Sequence, residues 1–170
     1  MLRIALLIVC GLLGFRRGDC PNCHRPDPAP AKQVQARVSD LPPNNIEQKI
    51  VDEINVFRKQ HGKSALAVDA RLLKLARARV NIYSHTAHGK WVWQEAPLFG
   101  FNGRCTDNLA QGHPSAESAV EDWGKKPSVG HREQMLGFMK INGKFRDMGW
   151  NRIGVAHSGR NWIAIFGRQE

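Results

Sequence analysis

At 170 residues, with 42% hydrophobic side chains, the chain can bury one ordinary core, and nothing in its length asks for two globular domains. The formal net charge is +10, and residues 46–170 carry 19 basic against 12 acidic groups, so the basic balance belongs to the folded part as well as to the N-terminus. That balance favours anionic surroundings such as nucleic acid, lipid headgroups or cell-wall polymers, but the lack of an Arg/Lys block with interleaved aromatics argues against a nucleic-acid partner.

The chain opens with Arg3, an apolar run from Ile4 to Phe15, and then Arg16 and Arg17. The run is 12 residues long, short of the roughly 20 that span a bilayer as a helix. Residues 1–17 therefore read as a secretory leader, cleaved or kept as a membrane tether, which makes the protein secreted or extracytoplasmic. Arg16 and Arg17 stand where small residues and a cleavage site are expected, and Leu7-Ile8-Val9 before Cys10 faintly resembles a lipoprotein site. The bland alternative is a frayed apolar start of a cytosolic protein. Residues 18–45 contain most of the prolines, including Pro26, Pro28, Pro30 and Pro42-Pro43, with little apolar periodicity, and read as a linker. Within it Cys20-Pro-Asn-Cys23-His24 matches the C-x-x-C-H pattern of covalent haem attachment. A Pro-rich linker supplies neither a domain to wrap the porphyrin nor a second axial ligand, which leaves a local disulfide, free thiols or a metal or redox pair as the competing readings.

From Ile46 the pattern changes. Ile46, Ile50, Ile54 and Phe57 recur at helical spacing, which predicts a helix up to about His61-Gly62. Leu66 and Val68 lead to Asp69, a good N-cap, and Leu72, Leu73, Ala76, Val80 and Tyr83 form the stripe of a second helix ending near Ser84. Just beyond lie His85 and His88, then Trp91-Val-Trp93 and a Gly-rich loop from Phe99 to Gly103. The stretch Arg104 to Gln111 holds the one Cys of the folded part, Cys105, and an Asp107-Asn108 pair that by itself suits a turn. A third helix follows Ser115 and closes on Trp123, whose face suggests burial. After it Ser128 is a candidate cap for a short helix from about His131 through Met135 and Leu136. Trp150, Ile153 and Val155, the turn Ser158-Gly-Arg160 and the run Trp162 to Phe166 signal a terminal hairpin.

Taken in order, Asn55-x-x-Arg58, Leu66-x-x-Asp69, Ala76-x-Ala78, Ile82-Tyr-Ser-His85, Asp107-Asn-Leu-Ala110, Ala119-Val-x-x-Trp123, Gly130-His-Arg and Ile153-Gly-Val resemble the CAP superfamily. That family, also called the SCP domain, groups the cysteine-rich secretory, antigen 5 and pathogenesis-related 1 proteins. The resemblance covers about Ile46 to Gly167 and is nearest the compact bacterial members, which lack the disulfides of the eukaryotic ones. It implies an α+β fold, a three-layer α-β-α sandwich around a small, mainly antiparallel sheet, formed by residues 46–170. Such a sheet needs strands from the middle of the chain, for which Lys90 to Trp93 and Phe145 to Gly149 are the candidates.

The resemblance also implies a cleft. Family members bring two His and two acidic residues together, in several cases around a divalent metal. His85 and His131 match the two His, and Asp107 takes the place of one Glu. Lys126 stands where eukaryotic members carry the other Glu and is set to repel a cation or to pair with Asp107. The cleft so transferred comprises His85, Asp107, Asn108, Lys126, Ser128 and His131. Of these, His85, Asp107 and His131 suffice for a zinc site with an open position, whereas Asp, one methylene shorter than Glu, suits a plain hydrogen-bonded cluster equally well, with Asn108 pinning a loop. Two functions compete. One is a non-enzymatic module that binds a lipid, a sterol or an anionic envelope polymer, with Trp91 to Phe101 offering apolar surface beside the cleft; singly, Trp93, Phe99 and Phe101 each suit the core as well. The other is a metal-dependent hydrolase, for which Glu95 and Glu133 lack motif support as bases, with a cysteine hydrolase using Cys105 as a weaker variant.

Overall fold

The computed structural model describes residues 41–82, 84–86, 89–125 and 130–170, all within the compact unit Ala31–Glu170. The leader, most of the linker and the Cys20, Cys23 and His24 motif lie outside the described residues.

Helix α1 (Asn45–Gln60) starts at a capping box: the Asn44 side chain accepts from the amides of Ile46 and Glu47, and the Glu47 carboxylate accepts from Asn44 N–H at 2.8 Å. Strand β1 (Ala67–Val68) precedes Asp69, which caps α2 (Ala70–Arg79) through the amides of Arg71 and Leu72. The second helix thus stops short of the Ser84 expected from its stripe. A one-turn helix α3 (Val92–Glu95) and a 3-10 turn (Ala96–Phe99) follow, and then β2 (Arg104–Gln111), α4 (Ala116–Lys125) and α5 (His131–Met135). The chain ends in two hairpins, β3 (Phe138–Ile141) with β4 (Lys144–Asp147), and β5 (Arg152–Ser158) with β6 (Asn161–Arg168).

The main sheet has the order β1-β5-β6-β2, parallel between β1 and β5 and antiparallel elsewhere. One face carries Ile153, Val155, Ala164 and Phe166 against Ile50 and Ile54 of α1 and Ala119 and Trp123 of α4. The other carries Ala156, Ile163 and Ile165 against Leu72, Leu75 and Ala76 of α2 and Val92 and Ala96 beyond it. The result is the three-layer α-β-α sandwich, each helix burying its stripe on one side of a thin sheet.

Two expected strands differ. Val92 to Glu95 is helical: Gln94 Oε1 accepts from Trp91 N–H at 2.9 Å, Ala96 N–H bonds the Val92 carbonyl, and Pro97 suits the first turn of the 3-10 helix that follows. Lys144–Asp147 is a strand, but it pairs with β3 in a separate ribbon. The missing strand of the main sheet is β2, in which Asp107 and Asn108 lie in full ladder register with Ile165 and Ala164 and not in a turn.

Candidate functional site

β2 is an edge strand, and the candidate site lies where two loops meet over it. The segment after α2 delivers His85 from one side of the sheet, and α5 delivers His131 from the other. Their ring centroids are 6.3 Å apart. Between them Asp107, 4% exposed, places Oδ1 3.2 Å from His85 Nδ1. Asn108, fully buried, donates its side-chain N–H to the carbonyl of His131 at 2.9 Å and so pins α5 to the strand. Trp123 does the same for α4 by donating its indole N–H to the carbonyl of Leu109 at 3.0 Å. His85, Asp107, Asn108 and His131 therefore lie beside one another. Lys126 and Ser128 lie outside the described residues.

The cleft has a volume of about 410 Å³ and is lined by His85, Trp91, Trp93, Asp107, His131 and Gln134 among others. A neighbouring lobe of about 430 Å³ shares His85, Trp91 and His131. Trp91 and Trp93 are about half exposed, whereas Phe101 is fully buried in the core and Phe99 partly so. The aromatic loop thus divides between rim and core. Gln94, at the bonded end of the first turn, fixes how the two tryptophans leave the helix.

The residue that governs the electrostatics is Arg79, at the end of α2 and 1% exposed. One of its amino groups pairs with Glu95, and the other donates to the carbonyls of Ser84 and His85 at 3.1 and 2.9 Å and lies 3.6 Å from Asp107 Oδ2. A single buried guanidinium thereby holds the backbone that carries His85, the helix that carries the tryptophans, and the carboxylate on β2. Sequence reasoning did not single it out, although a signal exists: Arg79 falls three residues after Ala76 and four after Leu75 on the buried stripe of α2, and a charge there requires a buried partner. That partner is Glu95, which is thereby removed as a general base.

Protonation follows from these contacts. Hydrogen bonding to the Asp107 carboxylate raises the pKa of His85 above its ordinary value, against opposing desolvation and the nearby Arg79 charge. Burial, with Asp107 adding to it, pushes the Cys105 thiol up to about 12, which disfavours the thiolate that the cysteine variant requires.

Zinc ligation can be tested on the same geometry. Asp107 already bonds His85 through one oxygen and faces a buried guanidinium with the other, so a divalent ion on that carboxylate would be opposed by a positive charge in a low-dielectric setting. Among the described residues no three His, Cys, Asp or Glu side chains converge as a ligand group. The residues as placed do not fit a metal centre.

Comparison with known proteins places this arrangement. The profile of the CAP, or cysteine-rich secretory protein, family matches residues 51–162. The uncharacterized protein YkwD of Bacillus subtilis (strain 168) is 27% identical over an alignment 150 residues long that covers 81% of this chain and 54% of that protein, so the chain spans about half the length of this curated relative. Among solved structures, an extracellular protein containing an SCP domain from Bacillus anthracis str. Ames superposes with a TM-score of 0.61 at 22% identity, covering 74% of this chain and 41% of the other. An outer surface protein of Borrelia burgdorferi gives 0.62 at 18% identity, covering 76% of this chain and 97% of the other. At these identities the structures establish a shared fold.

Proposed function

This chain belongs to the CAP, or cysteine-rich secretory protein, family, and on that premise we propose that it is an extracytoplasmic module that binds a component of the cell envelope without catalysing a reaction. The ligand is a lipid or sterol, or an anionic envelope polymer, taken into the cleft between His85 and His131. One observation carries the reading: the charges on the floor of the cleft are paired with one another, Arg79 with Glu95 and Asp107 and Asp107 with His85, while the rim presents half-exposed Trp91 and Trp93. Such a site offers apolar and aromatic contact area with a few orienting polar groups. The N-terminal apolar run, the basic surplus of residues 46–170, and structural neighbours described as extracellular or outer-surface proteins support the placement. Among the described residues no helix is long and apolar enough to cross a membrane.

The alternative, a divalent-metal-dependent hydrolase in the same cleft, has less support. It must overcome the Arg79 charge beside Asp107, Glu95 is engaged by Arg79, and Glu133 does not line the cleft.

Co-sedimentation with lipid vesicles and with insoluble envelope polymer at rising salt tests the binding reading. Surface charge alone is screened away, so the expected result is a salt-resistant fraction that weakens at least about tenfold, or about 1.4 kcal/mol, in a Trp91→Ala/Trp93→Ala variant. Binding that vanishes with salt in the unaltered chain, or that is identical in the double variant, defeats the reading.

A further inference from the structure

Two basic side chains meet at the end of β2 away from the histidines. Arg104, the first residue of β2, stands directly opposite Arg168 on β6. Residues so opposed project to the same face with Cα atoms about 4.5–5.5 Å apart, and like charges in that position repel. Both side chains are exposed, and among the described residues neither guanidinium has a hydrogen-bond or ion-pair partner. The close approach of backbones at this point enforces the pairing: a Cβ on Gly103 would lie 2.0 Å from the carbonyl oxygen of Arg168.

The two arginines open onto a cleft of about 600 Å³, walled further by Arg71, Asn102 and Gln169, with Glu170 its one acidic side chain. Arg71 is a fixed wall and not a free charge, because Asp69 takes its guanidinium at both oxygens, at 3.0 and 2.6 Å. Arg104 and Arg168 are the donors left over. Two exposed guanidinium groups lining one cleft from paired positions suit an oxyanion, because each can donate to one of the two non-bridging oxygens of a phosphodiester and a polymer carries such anions at regular intervals.

The cleft does not end there. Through Asn102, Gly103 and Arg104 it continues into a second cleft of about 310 Å³, lined by Trp93, Met139, Met148 and Trp150. That one passes through Trp93, Cys105 and Met139 into the His85–His131 cleft. Trp150 is 4% exposed, and its indole N–H has no hydrogen-bond partner among the described residues, a buried donor in the middle of the trough.

We propose that Arg104 and Arg168 form a phosphate subsite for a phosphodiester-linked envelope polymer whose chain follows the trough along β2 toward His85. The trough favours a polymer over a membrane, because a flexible chain can lie along a recessed floor whereas headgroups in a flat bilayer meet projecting surfaces. This inference takes its ligand class from the reading of the chain as an envelope-binding module, but its site shares no lining residue with the His85–His131 cleft.

The test uses the full chain with soluble poly(glycerol phosphate) oligomer, inorganic phosphate and phosphatidylglycerol vesicles, in the unaltered protein, R104Q/R168Q and H85A/H131A. The expected result is oligomer binding that falls at least tenfold in R104Q/R168Q, with a shallower salt dependence and a melting temperature equal to or above that of the unaltered chain, since a like-charge pair is removed. Inorganic phosphate should raise the melting temperature of the unaltered chain and not that of R104Q/R168Q. Equal oligomer affinity in R104Q/R168Q, capture by vesicles with none by the soluble oligomer, or no oligomer binding at all overturns the inference. Salt-resistant vesicle binding lost only in H85A/H131A would overturn it while leaving the envelope-binding reading intact.

Discussion

Arg79 shows how one side chain sets the character of the cleft. A guanidinium 1% exposed and held between Glu95 and Asp107 is stable only with both carboxylates present, because removing one member of a buried pair leaves a charge without compensation. Arg79→Ala is expected to cost about 3–5 kcal/mol in urea unfolding. Arg79→Lys should fail to restore it, because an ammonium cannot reach Glu95 and the carbonyls of Ser84 and His85 with one planar fork. Full stability in Arg79→Lys would show that the fork geometry is unimportant. His85 adds a pH dependence of known sign. Its folded pKa lies above the unfolded value of about 6.5, so the contact of protonated His85 with Asp107 contributes fully below that value. The contribution is lost as pH rises through the folded value. Melting temperatures taken between about pH 5 and 8 should therefore fall more steeply in the unaltered chain than in His85→Gln. Parallel curves would mean the His85–Asp107 contact does not persist in solution. The effect is modest because the imidazole is 43% exposed and partly screened by solvent.

At the scale of elements, the site depends on how closely helices approach the sheet. Asn55 of α1 exchanges hydrogen bonds with the backbone of Leu66, at 3.2 and 2.8 Å, and Arg58, 3% exposed, donates to the carbonyls of Ser64 and Met135. The first of the sequence motifs is thus a structural clamp that holds α5, and with it His131, against α1. On the opposite face Gly154 lets α2 rest on β5, since a Cβ there would lie 2.1 Å from the Leu72 carbonyl carbon. Gly154→Ala is expected to destabilise the fold by about 2–3 kcal/mol, read from denaturant midpoints, and an unchanged midpoint would contradict this packing of α2. The same elements explain what the sequence discloses. Helix α1 and the β5–β6 hairpin are legible because each buries a regular stripe, and the hairpin turns on Gly159 at a φ of 60°. β2 is not legible, because Asp107 and Asn108 resemble a turn until the Arg79 guanidinium and the His131 carbonyl, both remote in sequence, satisfy them. Trp91 and Trp93 mislead for the opposite reason: aromatic density suggests a strand, but the rings line a cleft from a helical turn.

Across the domain, the sheet edge at β2 gathers the candidate site and the proposed subsite. Layers on both faces deliver a histidine to one end, an aromatic stretch occupies the middle, and an opposed arginine pair marks the other end. His85 and His131 were legible from the motifs because their local segments carry them, whereas the arginine pair becomes visible only once strand register is known. On the proposed reading, the His85–Asp107–His131 cluster, with Arg79 beside Asp107, takes its ligand without a metal. The most direct test is calorimetric titration of the full chain with zinc, compared with its H85A/H131A variant so that any binding by the N-terminal cysteines is common to both. A cluster closed by Arg79 requires the two isotherms to coincide. A stoichiometric zinc site present in the unaltered chain and lost in the variant would contradict it and turn the cleft into a metal centre.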